Sequence, residues 1–212
     1  MNLAQAYEGI EADRRLEALG LSRRQLSQAI RRADAEAAQV TPLDPPTAEG
    51  WSRYAATVRY LREGLMPHGW DYDNGNNFCR TVAPGKRFAI VVSSGDSMTG
   101  NPHGNPSTKY TKGPTTSKAV DRNQYVLDFG PDFMSEDHED DEYPIWYLIQ
   151  YVDGNVIRAE LSLPNGSHKG KITQWAERII LDEIVLDEAE DGNHDQDSDD
   201  DGDAYDVDIA RR

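Results

Sequence analysis

Twice in this chain an apolar run stops at a turn dipeptide and resumes a few residues later. Phe78-Cys-Arg-Thr-Val82 and Arg87-Phe-Ala-Ile-Val-Val92 flank Pro84-Gly85, and Ile145–Tyr151 and Val156–Leu163 flank Asp153-Gly154. Proline sets φ for a turn and glycine supplies positive φ, so each unit reads as a β-hairpin. A chain with two such hairpins must build a sheet with an apolar face, and that face needs a cover.

The cover is found upstream. Trp51, Tyr54, Ala55, Val58, Leu61 and Leu65 recur at helical spacing behind Thr47 as a cap, and Pro67 and Gly69 end the run. Before it, Leu3, Tyr7, Ile10, Leu16 and Leu19 form a first helical stripe that stops at Gly20. Ser22 and Gln25 then make a capping box for a second helix, carried by Leu26 and Ile30 to about Ala37. Asp44-Pro-Pro46 separates this pair from the rest. Near the end, Ile172 and Trp175 predict a short helix, and Ile179 to Leu186 a strand. The expected fold is α+β: an N-terminal helical hairpin (1–43), then a domain (47–186) with a helix on an antiparallel sheet of about five strands.

The last segment is of another kind. Residues 187–212 hold twelve acids against two arginines, so they carry −10 of the formal −16. Too few apolar groups are present to offset chain entropy of ~1–2 kcal/mol per residue, and a disordered acidic tail is expected. Hydrophobic content is 37% overall, a deficit that falls mainly on this tail. No run approaches the roughly 18 apolar residues of a membrane span, and the N-terminus lacks a signal-peptide pattern. The single cysteine, Cys79, excludes an intramolecular disulfide. Together these point to the cytoplasm and to no membrane partner.

Two segments interrupt the domain. Asp132–Glu142 has seven acids in eleven residues, with His138 among them. Ser93–Lys118 is rich in Gly, Ser, Thr, Pro and Asn, and loops this long inside a domain are usually functional or disordered. From residue 101 to 122 it carries four bases, Lys109, Lys112, Lys118 and Arg122, against one acid, Asp121. If Thr115, Thr116 and Ser117 open a helix toward Arg122, their free N–H groups and hydroxyls would face an anion beside those lysines. The segment is not a P-loop, because Asn101 follows Gly95 and Gly100 where lysine belongs. Asp96 fits a turn residue, with general base or metal ligand as the alternative.

Leu16-Glu-Ala-Leu-Gly20-Leu-Ser-Arg-Arg-Gln-Leu26 resembles a helix-turn-helix over about twenty residues. The resemblance implies that Arg23, Arg24 and Gln25 open a recognition helix. Leu16 departs from it, standing where a small residue lets the helices approach. A plain helical hairpin uses the same residues.

In the tail, Asp197, Asp199, Asp201, Gly202, Asp203 and Asp208 fall in the register of a calcium loop. The twelfth position is Asp rather than Glu, and an Asp-rich tract meets this register easily by chance. The histidines show no zinc spacing, and there is no Gly-x-Ser-x-Gly, no Cys-x-x-Cys and no dinucleotide glycine pattern. The leading expectation is a non-enzymatic interaction or regulatory protein. It would bind an anionic protein or nucleoprotein partner, or a phosphate-bearing ligand, through the loop, with the tail modulating or mimicking a polyanion. An enzyme acting on a phosphate-bearing substrate at Asp96, Lys112 and Thr116, and a DNA reader using Arg23 and Arg24, are the alternatives.

Overall fold

The computed structural model describes residues 4–75, 78–111, 114–129 and 143–186, with the side chains of 114, 115, 122 and 125–129 outside that description. In chain order the elements are β1 (Gln5–Tyr7), α1 (Gly9–Ala18), α2 (Arg23–Ala37), α3 (Ala48–Leu65), β2 (Asp71–Asp73), β3 (Arg80–Val82), β4 (Ala89–Ser94), α4 (Pro114–Phe129), β5 (Ile145–Asp153), β6 (Val156–His168), β7 (Lys171–Ile180) and β8 (Ile184–Val185). The strands form one mixed sheet in the order β1-β7-β6-β5-β4-β3-β2, with β8 paired to β6.

The α+β class holds, but among the described residues the sheet has eight strands rather than about five and is not purely antiparallel. β4 and β5 run parallel, and so do β1 and β7. Parallel neighbours need a long crossover. The chain from Gly95 to Pro144 supplies it, with α4 inside. Both turn dipeptides sit where the hairpins require them, between β3 and β4 and between β5 and β6.

Two expected helical segments are strands. Residues 5–7 pair with β7, and Ile10, taken as part of the first apolar stripe, is 71% exposed. The segment from Ile172 through Trp175 lies in β7, not in a helix. Its helical look has a physical cause. The β6–β7 register shifts three times between Leu163 and Ser167. Bulges insert single residues, so Ile172 and Trp175 reach the same face at a spacing of three.

The sheet is covered on both faces. On one, α1, α2 and α3 enclose Leu16, Leu26, Ile30, Leu61 and Leu65 against Ile90, Val92, Trp146, Leu148 and Leu161. The N-terminal helices thus share a core with α3 and the sheet. On the other, Ala119 and Val120 of α4 meet Val91, Ile145, Tyr147 and Ile149. Burial on both faces explains why β4 and β5 read as continuous apolar runs. Between α1 and α2, Gly20 at φ 77° closes a Schellman turn, in which Leu21 N–H donates to Leu16 O at 2.9 Å. The capping box of Ser22 and Gln25 is present.

Candidate functional site

The long loop after β4 is tied down between Gly95 and Lys109. Its anchor is an ion pair between Arg178 of β7 and Glu160 of β6, whose side chains are 2% and 0% exposed. Arg178 Nε donates to Glu160 Oε1 at 2.8 Å, and its Nη2 donates to Oε2. The same guanidinium donates to the carbonyls of Gly104 (2.7 Å) and Asn101 (3.1 Å). Glu160 also accepts from Gly100 N–H at 2.9 Å and from Ser162 Oγ at 2.7 Å. A buried ion pair is tolerable when its remaining donors and acceptors are filled, and here the loop backbone fills them.

Further bonds hold the two ends of the loop. Asp96 accepts from Met98 N–H (3.0 Å), Ser107 N–H (2.9 Å) and Ser107 Oγ (2.8 Å), so its carboxylate acts as a turn residue. Trp175 Nε1 donates to Pro106 O at 2.8 Å. Thr108 bonds Ile172 in both directions, and Lys109 N–H donates to Ser94 O.

α4 begins at Pro114, and Thr116 in its first turn lies near Tyr147 of β5. α4 packs mainly against β6 and, less, against β5. Asn123, in its middle, donates to Ile145 O and Pro164 O and accepts from Ile145 N–H, at the beginning of β5. The first turn therefore lies further along β5, toward Tyr147. Pro114 at the first helical position has no N–H, and the N–H groups of Thr115 and Thr116 have no acceptor within the helix.

The sheet below that turn is polar. Tyr147 pairs with Val91 on one side and Ser162 on the other, and Ser162 pairs with Arg178. Continuing the β3–β4 register sets Arg80 beside Val91. Arg80, Tyr147, Ser162 and Arg178 thus stand in one cross-strand row, with Ser93 two residues further along β4. Arg80, Ser93, Thr116 and Tyr147 are all buried. Arg80 pairs with Asp73 and lies over the Phe78 ring. Burial pushes the Tyr147 phenol well above its ordinary pKa, and nearby Thr116 and Arg80 pull it down by less. Its hydroxyl nonetheless makes no hydrogen bond of ordinary geometry.

Of the residues expected to bind an anion, the structure brings Thr116, Ser117 and Lys118 onto the first turns of α4 as buried, half-buried and exposed groups respectively. Lys109 is exposed, with its ammonium 5.5 Å from the Tyr110 ring centroid. Lys112 and the side chains of Thr115 and Arg122 lie outside the described residues. The helix is longer than expected, running to Phe129. Tyr147, Arg80, Glu160 and Arg178 were not singled out from the sequence. Arg158-Ala-Glu-Leu-Ser162 alternates polar with apolar and reads as a solvent-facing strand. The available clue was the long loop, which had to lie over something.

The three residues of the helix-turn-helix reading are engaged differently. Arg23 is held by Asp13 (2.8 Å), Asp182 (2.7 Å) and Gly9 O (2.8 Å). Gln25 is occupied by the capping box, and Arg24 faces solvent. The acidic positions Asp197, Asp199, Asp201, Asp203 and Asp208, and His138, lie outside the described residues. Among the described residues no group of three or more His, Cys, Asp or Glu side chains could hold a metal ion, and no helix is long and apolar enough to cross a membrane. Cys79 is half-buried beside Tyr54. Burial, then the contact with Cys79, pushes the Tyr54 phenol up to about 12.

No protein-family model, curated protein or solved structure matches this chain.

Proposed function

We propose that the protein is a non-enzymatic interaction or regulatory protein that binds a phosphate-bearing or otherwise anionic partner at the start of α4. The observation that carries this reading is the first turn of α4, within the β4–β5 crossover, beside the buried Tyr147. Unbonded N–H groups and the helix dipole at such a turn favour an anion. Thr116, Ser117, Lys118 and Lys109 add donors and charge, and Lys112, Thr115 and Arg122 join them by sequence position. Glu160 and Arg178 hold the loop at Gly100, Asn101 and Gly104, which lowers the ordering cost of that part on binding. The acidic segment 187–212 would compete for the same cations.

The test is a titration of the full chain with inorganic phosphate, pyrophosphate and heparin by calorimetry, beside the Lys112→Ala, Lys118→Ala double variant. Weaker binding by the variant at an unchanged melting temperature supports the reading. Equal binding by both proteins, or a large fall in melting temperature, removes its support.

A further inference from the structure

We propose that Asn74 is a site of spontaneous chemical modification: the Gly75 amide nitrogen closes on the Asn74 side-chain amide, ammonia leaves, and water opens the ring to aspartate or isoaspartate. The inference does not depend on the anion site. The chain has two Asn-Gly dipeptides, Asn74-Gly75 and Asn165-Gly166. Asparagine before glycine cyclises readily, because no side chain shields the attacking nitrogen. The structure sets the two apart.

Asn74 and Gly75 are exposed in the connection from β2 to β3. Gly75 N–H donates to Asp73 Oδ1 at 2.9 Å, and Arg62 Nη2 donates to Asn74 Oδ1 at 2.8 Å. Both bonds serve the reaction. The carboxylate draws on the proton that the nitrogen must lose. The guanidinium polarises the carbonyl under attack and stands where negative charge develops on Oδ1. Arg80 holds the Asp73 carboxylate by its other oxygen, Oδ2. Asn165 has neither aid. Its dipeptide lies inside β6, with Gly166 paired to Gln174 of β7, and its Oδ1 is buried with no hydrogen-bond partner among the described residues. Ring closure there must first open the strand locally.

The step balances. Gly75 N bonds to Asn74 Cγ, the Cγ–Nδ2 bond breaks, and the Gly75 proton leaves with Nδ2 as ammonia. Water then adds to one carbonyl of the succinimide. Opening at Cγ gives aspartate. Opening at the backbone carbonyl carbon gives isoaspartate and lengthens the main chain by one carbon. Either product places a new negative charge beside Arg62.

The experiment incubates the full chain at neutral pH, native and in guanidinium chloride, and follows both dipeptides by peptide mapping and mass spectrometry. In the native chain Asn74 should convert at least about tenfold faster than Asn165, and at least about threefold faster than it does after denaturation. Isoaspartate should be among the products. Arg62→Gln should slow Asn74 about threefold or more while Asn165 keeps its rate. A native rate at Asn74 no higher than the denatured rate overturns the inference. So does an Arg62→Gln chain that converts at the wild-type rate, or a product without isoaspartate, which would mean direct hydrolysis. A faster Asn165 in Arg62→Gln would show a loosened fold, and the native-against-denatured comparison on the wild-type chain then decides.

Discussion

Arg178 Nε and Glu160 Oε1 meet at 2.8 Å beneath a loop whose backbone at Gly100, Asn101 and Gly104 completes their bonding. β6 and β7 would present these two residues to water if the loop were elsewhere. With the loop in place, a charged pair becomes the fastening for the segment that leads into α4.

Breaking that fastening should be expensive. Arg178→Ala leaves the Glu160 carboxylate buried without its counter-charge, and should cost about 3–5 kcal/mol in denaturant unfolding. Gly100→Ala attacks the same point from the loop side. Gly100 has φ 74°, and an added Cβ would lie 2.9 Å from Arg158 Cβ. Both variants should make the segment 95–111 open to proteolysis before global unfolding. A loss under ~1 kcal/mol for Arg178→Ala would show that the pair does not hold the loop.

Arg23 and Arg24 should separate cleanly. Arg23→Ala loses bonds to Asp13, Asp182 and Gly9 O and should destabilise the chain by roughly 0.5–2 kcal/mol. Arg24→Ala, on an exposed side chain, should stay within ~0.5 kcal/mol. A protein using this pair to read DNA would instead lose DNA affinity at both positions with stability intact, which gel-shift and thermal-melt measurements distinguish.

Tyr54 sets a limit at high pH. Its pKa is raised from 10.0 to about 12, so the folded state holds this proton more tightly than the unfolded state does. The contribution is whole below pH ~10 and is lost as pH rises through the folded value. Stability should therefore fall between pH ~10 and ~12, and Tyr54→Phe should flatten that part of the profile. An unchanged slope in the variant would assign the loss to other groups. Tyrosinate absorbance followed against pH gives an independent reading of the same ionisation.

The charge blocks offer a final test. Truncation at Leu186 removes −10 of formal charge, and segment 101–122 carries a net +3. If segment 187–212 competes for that loop, truncation should raise heparin affinity most at low salt, where charges beyond ~8–10 Å are less screened. The gain should shrink when Lys112 and Lys118 are alanine. Additive effects of truncation and lysine removal would make the two segments independent.

Much of this architecture could be read locally. The Ser22–Gln25 box, the turn at Gly20, α3, and the hairpin dipeptides Pro84-Gly85 and Asp153-Gly154 act within a few residues of themselves, so their chemistry is visible in a short window. The α+β class follows from them. Three matters were settled only by contacts between distant segments. The register shifts between β6 and β7 placed Ile172 and Trp175 on one face, and three-residue spacing imitated a helix. The pairing of β4 with β5 set a parallel crossover between two hairpins whose sequences specify only their own antiparallel partners. Most directly, Glu160 and Arg178 look like solvent-facing residues of alternating strands. A loop joined to the chain some sixty residues before Glu160 covers them, and no local pattern carries the entropy and geometry of that closure.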